Sequence, residues 1–188
     1  VLGYAVVFDH YRYADAFMDY VKIHPFGASC ATLRAIAKDH GIHVEMGDDQ
    51  QGWLDVLFSH LVEPNSGREL PTLLYDYPLA TAALAKSAID ADGYPVAKRF
   101  ELYINGLEIA NAYDELADGQ ALRARFEQDN AERARRGLVV MPIDENLLAA
   151  CDALPPCSGI ALGLDRLLMV KVGASDIREV IALPIDRA

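Results

Sequence analysis

The segment Arg99-Phe-Glu-Leu-Tyr-Ile-Asn-Gly-Leu-Glu-Ile-Ala-Asn-Ala-Tyr-Asp-Glu115 sets four polar side chains, Glu101, Glu108, Asn111 and Glu115, on an otherwise apolar frame. Asn105-Gly106 supplies the two positive-φ residues of a type I′ turn, which predicts a hairpin pairing 100–104 with 107–112. In that register Tyr103 faces Glu108 and Glu101 faces Ala110, so the two glutamates are diagonal neighbours on one face, roughly 7 to 8 Å apart at the backbone. Such a pair suits one divalent ion. Mg²⁺ is commonly held by one or two carboxylates together with substrate phosphates, which points to an ATP site. Taken alone, the hairpin fits a solvated strand face with two acids equally well.

The second chemically suggestive stretch is 158–170, Ser-Gly-Ile-Ala-Leu-Gly-Leu-Asp-Arg-Leu-Leu-Met-Val, which reads as a small-residue strand running into an apolar helix. Asp165 is a fitting N-cap. Arg166 then lies in the first helical turn, where a cation opposes the helix dipole and an anion would be held by free N–H groups and guanidinium together. A phosphate resolves that conflict. Gly159 and Gly163 suit a backbone that another group approaches closely. A buried strand and helix with a surface arginine is the competing reading.

Other elements must position these groups. Helical periodicity is predicted over 13–20, 31–40 and 51–61, with Trp53, Leu54, Leu57 and Phe58 as core residues. A turn is expected at 64–67, a strand over 72–75 ended by Pro78, and a final apolar strand over 177–184 that joins the sheet. Asp118 is expected to cap a long helix from about Gly119 to Arg136, closed by Gly137. Helices flanking a mainly antiparallel sheet give an α+β fold. The 188 residues are read as a single domain, 1–188.

The balance of 17 basic against 28 acidic residues, a net charge of −11, argues against a general grip on nucleic acid and favours a protein acceptor. Arg123, Arg125, Arg133, Arg135 and Arg136 cluster on the long helix, as a partner surface or a solvated face. Three cysteines, Cys30, Cys151 and Cys157, lack metal-ligand spacing, and their odd number argues against a disulfide framework, so a cytoplasmic location is expected. The five histidines are all N-terminal and match no metal spacing. No membrane span is expected, and residues 1–8 lack the length and basic flank of a signal peptide.

The runs 101–116 and 163–167 resemble the C-terminal half of the catalytic domain of class II lysyl-tRNA synthetases. Residues 125–138, 142–148, 157–166 and 185–188 are most similar to the short paralogues in that superfamily, the lysine ligases that modify elongation factor P. The resemblance is strong from about Pro71 onward. It implies that Glu101 and Glu108 bind the ATP-associated Mg²⁺, that Glu108 and Ile109 line the nucleotide pocket, that Gly163 lies against the adenosine, and that Arg166, the motif 3 arginine within 158–170, contacts the triphosphate. It further implies that 79–86 lines the substrate and that Asn111 and Glu115 recognise lysine, Glu115 pairing with the side-chain ammonium.

Strict alternation would put Asn111 and Glu115 on the face opposite Glu108. The lysine pocket therefore requires a bulge or turn after Glu108. At Ala161 the synthetases usually carry Gly. The extra methyl would reshape the amino-acid pocket by an amount worth about 1 to 3 kcal/mol of discrimination, enough to retune a preference between lysine and β-lysine. Motifs 1 and 2 are not visible, and the chain is read as the C-terminal part of a longer polypeptide, inactive alone and homodimeric when complete. The resemblance implies that the complete protein activates lysine or β-lysine as an adenylate and transfers it to elongation factor P. A lysyl-tRNA synthetase with tRNA as acceptor, and a non-catalytic amino-acid or nucleotide sensor, are the alternatives.

Overall fold

The computed structural model describes residues 7–185; the similarity at 186–188 and most of the N-terminal segment 1–8 lie outside them. Strand β1 (Asp9–Arg12) leads into helices α1 (Tyr13–Tyr20), α2 (Cys30–Asp39) and α3 (Gln50–Leu57), and α3 runs on through a π turn, Phe58–Val62, into a 3₁₀ turn, Glu63–Asn65. Strand β2 (Thr72–Pro78), a 3₁₀ turn (Leu79–Thr81) and strands β3 (Ser87–Ile89), β4 (Pro95–Ile104) and β5 (Leu107–Asp114) follow. Helices α4 (Gly119–Arg135) and α5 (Glu145–Asp152), strand β6 (Ser158–Leu162) and helix α6 (Leu164–Val172) complete the regular elements, with a last 3₁₀ turn at Ile177–Glu179.

The sheet runs β1-β2-β4-β5-β6, with β3 on β4 beyond the end of β5. Among the described residues only β1 and β2 pair in parallel. The expected α+β architecture and helix positions are therefore present. The expected strand over 177–184 is not formed among the described residues: a capping box between Asp176 and Glu179 closes a 3₁₀ turn, and the Val180 and Ile181 amides donate to the Ile177 carbonyl rather than to the sheet. Helix α6 begins two residues earlier than expected, with Gly163 as its N-cap and Asp165 inside the first turn.

The N-terminal helices cover one face of the sheet at β2 and β4. Tyr13, Phe17, Leu33, Trp53, Leu57 and Val62 pack there against Leu74, Tyr77, Ala97 and Tyr103. Tyr13 stacks on Phe58 with ring centroids 5.2 Å apart and tilts against Tyr77 at 5.2 Å. The cover stops short of β5 and β6, where Ala161 and Leu162 are exposed. One sheet face is thus half covered and half open.

The hairpin turn is braced from outside. Asn105 and Gly106 take positive φ, as the turn requires, and their amides donate to the carbonyls of Gly67 and Ser66 at 2.7 and 2.8 Å. A Cβ on Gly67 (φ +70°) would lie 2.3 Å from the Tyr103 carbonyl oxygen. Backbone strain and steric overlap act together at this position, so Gly67→Ala should lower the stability of the hairpin's anchor by more than about 2 kcal/mol, read as a denaturant midpoint with unchanged slope.

Candidate active site

Alternation in β5 breaks at one residue. Ile104 pairs with Leu107 and Tyr103 with Glu108, but Leu102 pairs with Ala110 and Glu101 with Asn111. The first two pairs fit the simple hairpin register; the expected Glu101–Ala110 pair is replaced, because Ile109 is an extra residue on β5. This is the irregularity that the expected lysine pocket requires. Past the bulge, Asn111, Tyr113 and Glu115 face the same way as Glu108, and across from them Arg99, Glu101 and Tyr103 line the neighbouring strand. The side chain of Ile109 is buried, and its carbonyl accepts from the Gly163 amide at 2.9 Å, which ties the bulge to the head of α6.

Glu101 is the buried centre of this face, 8% exposed. Its Oε2 accepts from the hydroxyls of Tyr77 at 2.7 Å and Tyr103 at 2.6 Å. Its Oε1 accepts from Arg99 and, at 3.4 Å, from the Asn111 side-chain amide. Burial, and next to it the negative charge of Glu101, hold the Tyr103 phenol well above its ordinary range, so it remains a neutral donor. Arg99 also donates to the Thr81 carbonyl at 2.9 Å, and its guanidinium lies 4.8 Å from the Tyr77 ring centre and 5.3 Å from that of Tyr113. A buried cation is thus neutralised and sandwiched between rings.

Glu108 is half-buried at the open side. Arg166, in the first turn of α6, donates to its carboxylate at 3.1 Å and to its backbone carbonyl at 2.9 Å. A Cβ on Gly163 would meet only ordinary contacts, the nearest the Ile109 carbonyl oxygen at 3.5 Å, so no close approach among the described residues demands glycine there. Glu63 adds a third acid. Burial raises its carboxyl above the usual range, the charges of Glu101 and Glu108 raise it further, and Arg166 pulls it down.

The fit to Mg²⁺ is partial in an informative way. Among the described residues no three His, Cys, Asp or Glu side chains form a cage for a metal ion. One or two carboxylates completed by phosphate oxygens are the usual arrangement for this ion. Glu108 offers a partly exposed carboxylate. Glu101 has only the lone pair of Oε1 that faces Asn111 weakly engaged.

At the far end, Glu115 donates its amide to the Cys157 carbonyl at 3.0 Å, and its carboxylate lies over Gly159, where a Cβ would come within 2.4 Å of its Oε1. That carboxylate makes no ion pair among the described residues. The Asn111 Oδ1 is buried without a hydrogen-bond partner among them. An idle carboxylate and an orphaned acceptor on one face call for a donor-rich, cationic ligand. Ala161 pairs with Asn111 across β5 and β6, so its methyl stands beside that amide.

All the sequence-predicted residues therefore reach this region, with Ile109 contributing backbone. Arg99, Tyr77, Tyr103 and Glu63 were missed. Arg99, Glu101 and Tyr103 alternate on one strand face, which was a usable signal. Glu63 had none, because its place depends on the docking of 64–67 against the hairpin turn. The arginine cluster of α4 is not a free basic surface: Arg123 pairs with Glu145, Arg136 with Glu132 and Asp49, and Arg125 and Arg133 donate to backbone carbonyls.

The raised Glu63 carboxyl carries a stability consequence. Its folded form binds the proton more tightly than the unfolded chain, so the cost of ionising it is absent at low pH and appears as pH rises from the unfolded pKa through the folded one. Glu63→Gln should raise the thermal midpoint by about 1 to 3 °C at pH 7 and leave it unchanged near pH 4. An equal rise at both pH values would refute the electrostatic origin.

No helix among the described residues is long and apolar enough to cross a membrane. The model for tRNA synthetases class II (D, K and N) matches residues 7–187. An elongation factor P--(R)-beta-lysine ligase from Klebsiella pneumoniae subsp. pneumoniae is 46% identical over 179 residues, which are 94% of this chain and 54% of that protein. The ligase of the same name from Klebsiella pneumoniae strain 342 is 45% identical over the same shares. The chain spans about half the length of these curated relatives. On the extent of the match and the site geometry, the chain belongs to the class II tRNA synthetase family of the D, K and N type.

Proposed function

We propose that this chain forms part of an ATP-dependent ligase that activates lysine or β-lysine as an adenylate and transfers it to a lysine side chain of elongation factor P in the cytoplasm. The observation that carries this reading is the bulge at Ile109, which sets Glu101, Glu108, Asn111 and Glu115 on one open face beside Arg166. The two ligases at 45 and 46% identity support elongation factor P as the acceptor.

In this reading Glu115 pairs with the side-chain ammonium, and the orphaned Asn111 Oδ1 accepts a further N–H from the substrate. Arg166 turns from Glu108 to the triphosphate, and Gly163 lies against the adenosine. The substrate carboxylate attacks the α-phosphate and pyrophosphate departs; an acceptor amine then takes the acyl group and AMP departs. Glu108 and the weakly engaged Oε1 lone pair of Glu101 would hold Mg²⁺, which supplies charge neutralisation on the phosphates. The chain contributes position and fixed charge and needs no covalent nucleophile. Segments beyond this chain supply motifs 1 and 2 and the homodimer interface.

The direct test gives the full-length protein ATP, Mg²⁺ and either isomer of lysine, then reads the intact mass of elongation factor P beside charging of lysine tRNA. Mass gain on elongation factor P alone is expected; charging of tRNA instead would make the protein a synthetase. In the same assay Ala161→Gly should shift the preference between the isomers by about tenfold, and an unchanged preference removes Ala161 from specificity. Gly159→Ala, which displaces the Glu115 carboxylate, should raise the KM for the amino acid by about tenfold or more with the KM for ATP unchanged.

A further inference from the structure

We propose that Arg125 is a positioning residue for amino-acid recognition, clamping from outside the loop that backs Glu115. The inference rests on the functional reading above and assigns a role to a residue on the far side of the pocket wall.

Arg125 projects from α4, half-buried, and a single nitrogen, Nη1, donates to the carbonyls of both Ala83 at 2.8 Å and Ala85 at 2.7 Å. The two carbonyls converge because the chain turns sharply between them. Ala83 has φ +47°, a left-handed conformation that costs a residue with a Cβ about 1 to 2 kcal/mol and persists only where the surroundings enforce it. Ala83 itself is exposed between the buried Ala82 and Ala85, and the Ala85 amide closes the turn on the Ala82 carbonyl at 2.7 Å. An open cleft of about 800 Å³ separates the loop from α4, lined by Leu79, Ala80, Ala82 and Ala83 on one side and Gln128 and Glu132 on the other. The guanidinium of Arg125 ties the two sides together.

The clamped segment continues directly into the pocket wall. Ala85 forms a bridge with Glu115, the Lys86 amide donates to the Asp114 carbonyl at 2.8 Å, and the Leu116 amide donates to the Leu84 carbonyl at 2.9 Å. Lys86 also pairs with Asp114 at 2.6 Å. Glu115 is thus held on one flank by 84–86 and on the other by Cys157. Arg99 fixes the inner end of the same loop through the Thr81 carbonyl. Arg125 is the outer of two arginine restraints. It reaches the 79–86 loop only through two main-chain carbonyls, and its effect must travel through them and one strand bridge to the Glu115 carboxylate.

The test compares Arg125→Met, which keeps an apolar stem and removes the donors, with Arg125→Lys, whose single ammonium can serve both carbonyls. In the full-length protein, lysine-dependent ATP–pyrophosphate exchange gives separate KM values for amino acid and ATP. Hydrogen exchange at the Lys86 and Leu116 amides reports the loop. Arg125→Met should raise the KM for the amino acid about tenfold or more, leave that for ATP unchanged, and speed exchange at both amides; Arg125→Lys should recover most of each effect. An unchanged amino-acid KM in an active Arg125→Met protein, a parallel rise in both KM values, or a lysine variant no better than methionine would overturn the inference alone. A wild-type protein with no amino-acid-dependent exchange would mean that the functional reading has failed, and the inference falls with it.

Discussion

A single extra residue in β5 governs the geometry of this site. Side chains on a strand alternate with a period of two, so without Ile109 out of register the acids at 101 and 108 and the polar groups at 111 and 115 would point to opposite faces. The bulge converts two incompatible sets into one. It also frees a carbonyl, which the Gly163 amide takes, and that bond sets the start of α6 and hence the reach of Arg166 to Glu108. Strand irregularity and helix placement are one device.

The cost of that device is a polar cluster on the face that also forms the core. Tyr77 and Tyr103 bridge the two environments: their rings pack with Tyr13 and Phe58, and their hydroxyls end on Glu101. A buried carboxylate left unpaired would be costly, and here Arg99 supplies the countercharge while two phenols fill Oε2. The network fixes the Glu101 rotamer before any ligand arrives, which is what a preorganised electrostatic site requires. The acids at the open edge are less fully satisfied. Glu108 holds Arg166 at the surface, and burial, with the charges of both glutamates added to it, raises the Glu63 carboxyl above its ordinary range.

Much of this was legible in the sequence, for identifiable physical reasons. Asn105-Gly106 dictates a turn type, the turn dictates the first two pairs, and Asp118 and Gly137 mark the ends of α4 because caps are local chemistry. The need for a bulge could be deduced, since four polar residues with one purpose cannot obey strict alternation. The register beyond it could not be placed, because Ile109 differs from its neighbours by nothing local. The apolar stretch at 177–184 read as a strand because periodicity ignores the competing capping box, and Asp165 read as a cap because a carboxylate suits either N-cap or first turn.

The residues that escaped notice share a property: each acts through tertiary placement of a backbone group. Arg99 and Arg125 address carbonyls of one loop from opposite sides, and Glu63 arrives beside Glu108 only because Ser66 and Gly67 accept from the hairpin turn. An arginine on a helix reads as surface charge until the carbonyl it serves is known. The loop at 79–86 is mostly Ala and Leu, and its own side chains contribute only the Thr81 hydroxyl on the Pro78 carbonyl and the Lys86–Asp114 ion pair at its two ends. Between those ends the restraints are main-chain bonds and two guanidiniums that donate to its carbonyls. A pocket wall built this way can vary its own side chains freely while its path stays fixed, because the groups being restrained are main-chain carbonyls that every residue possesses.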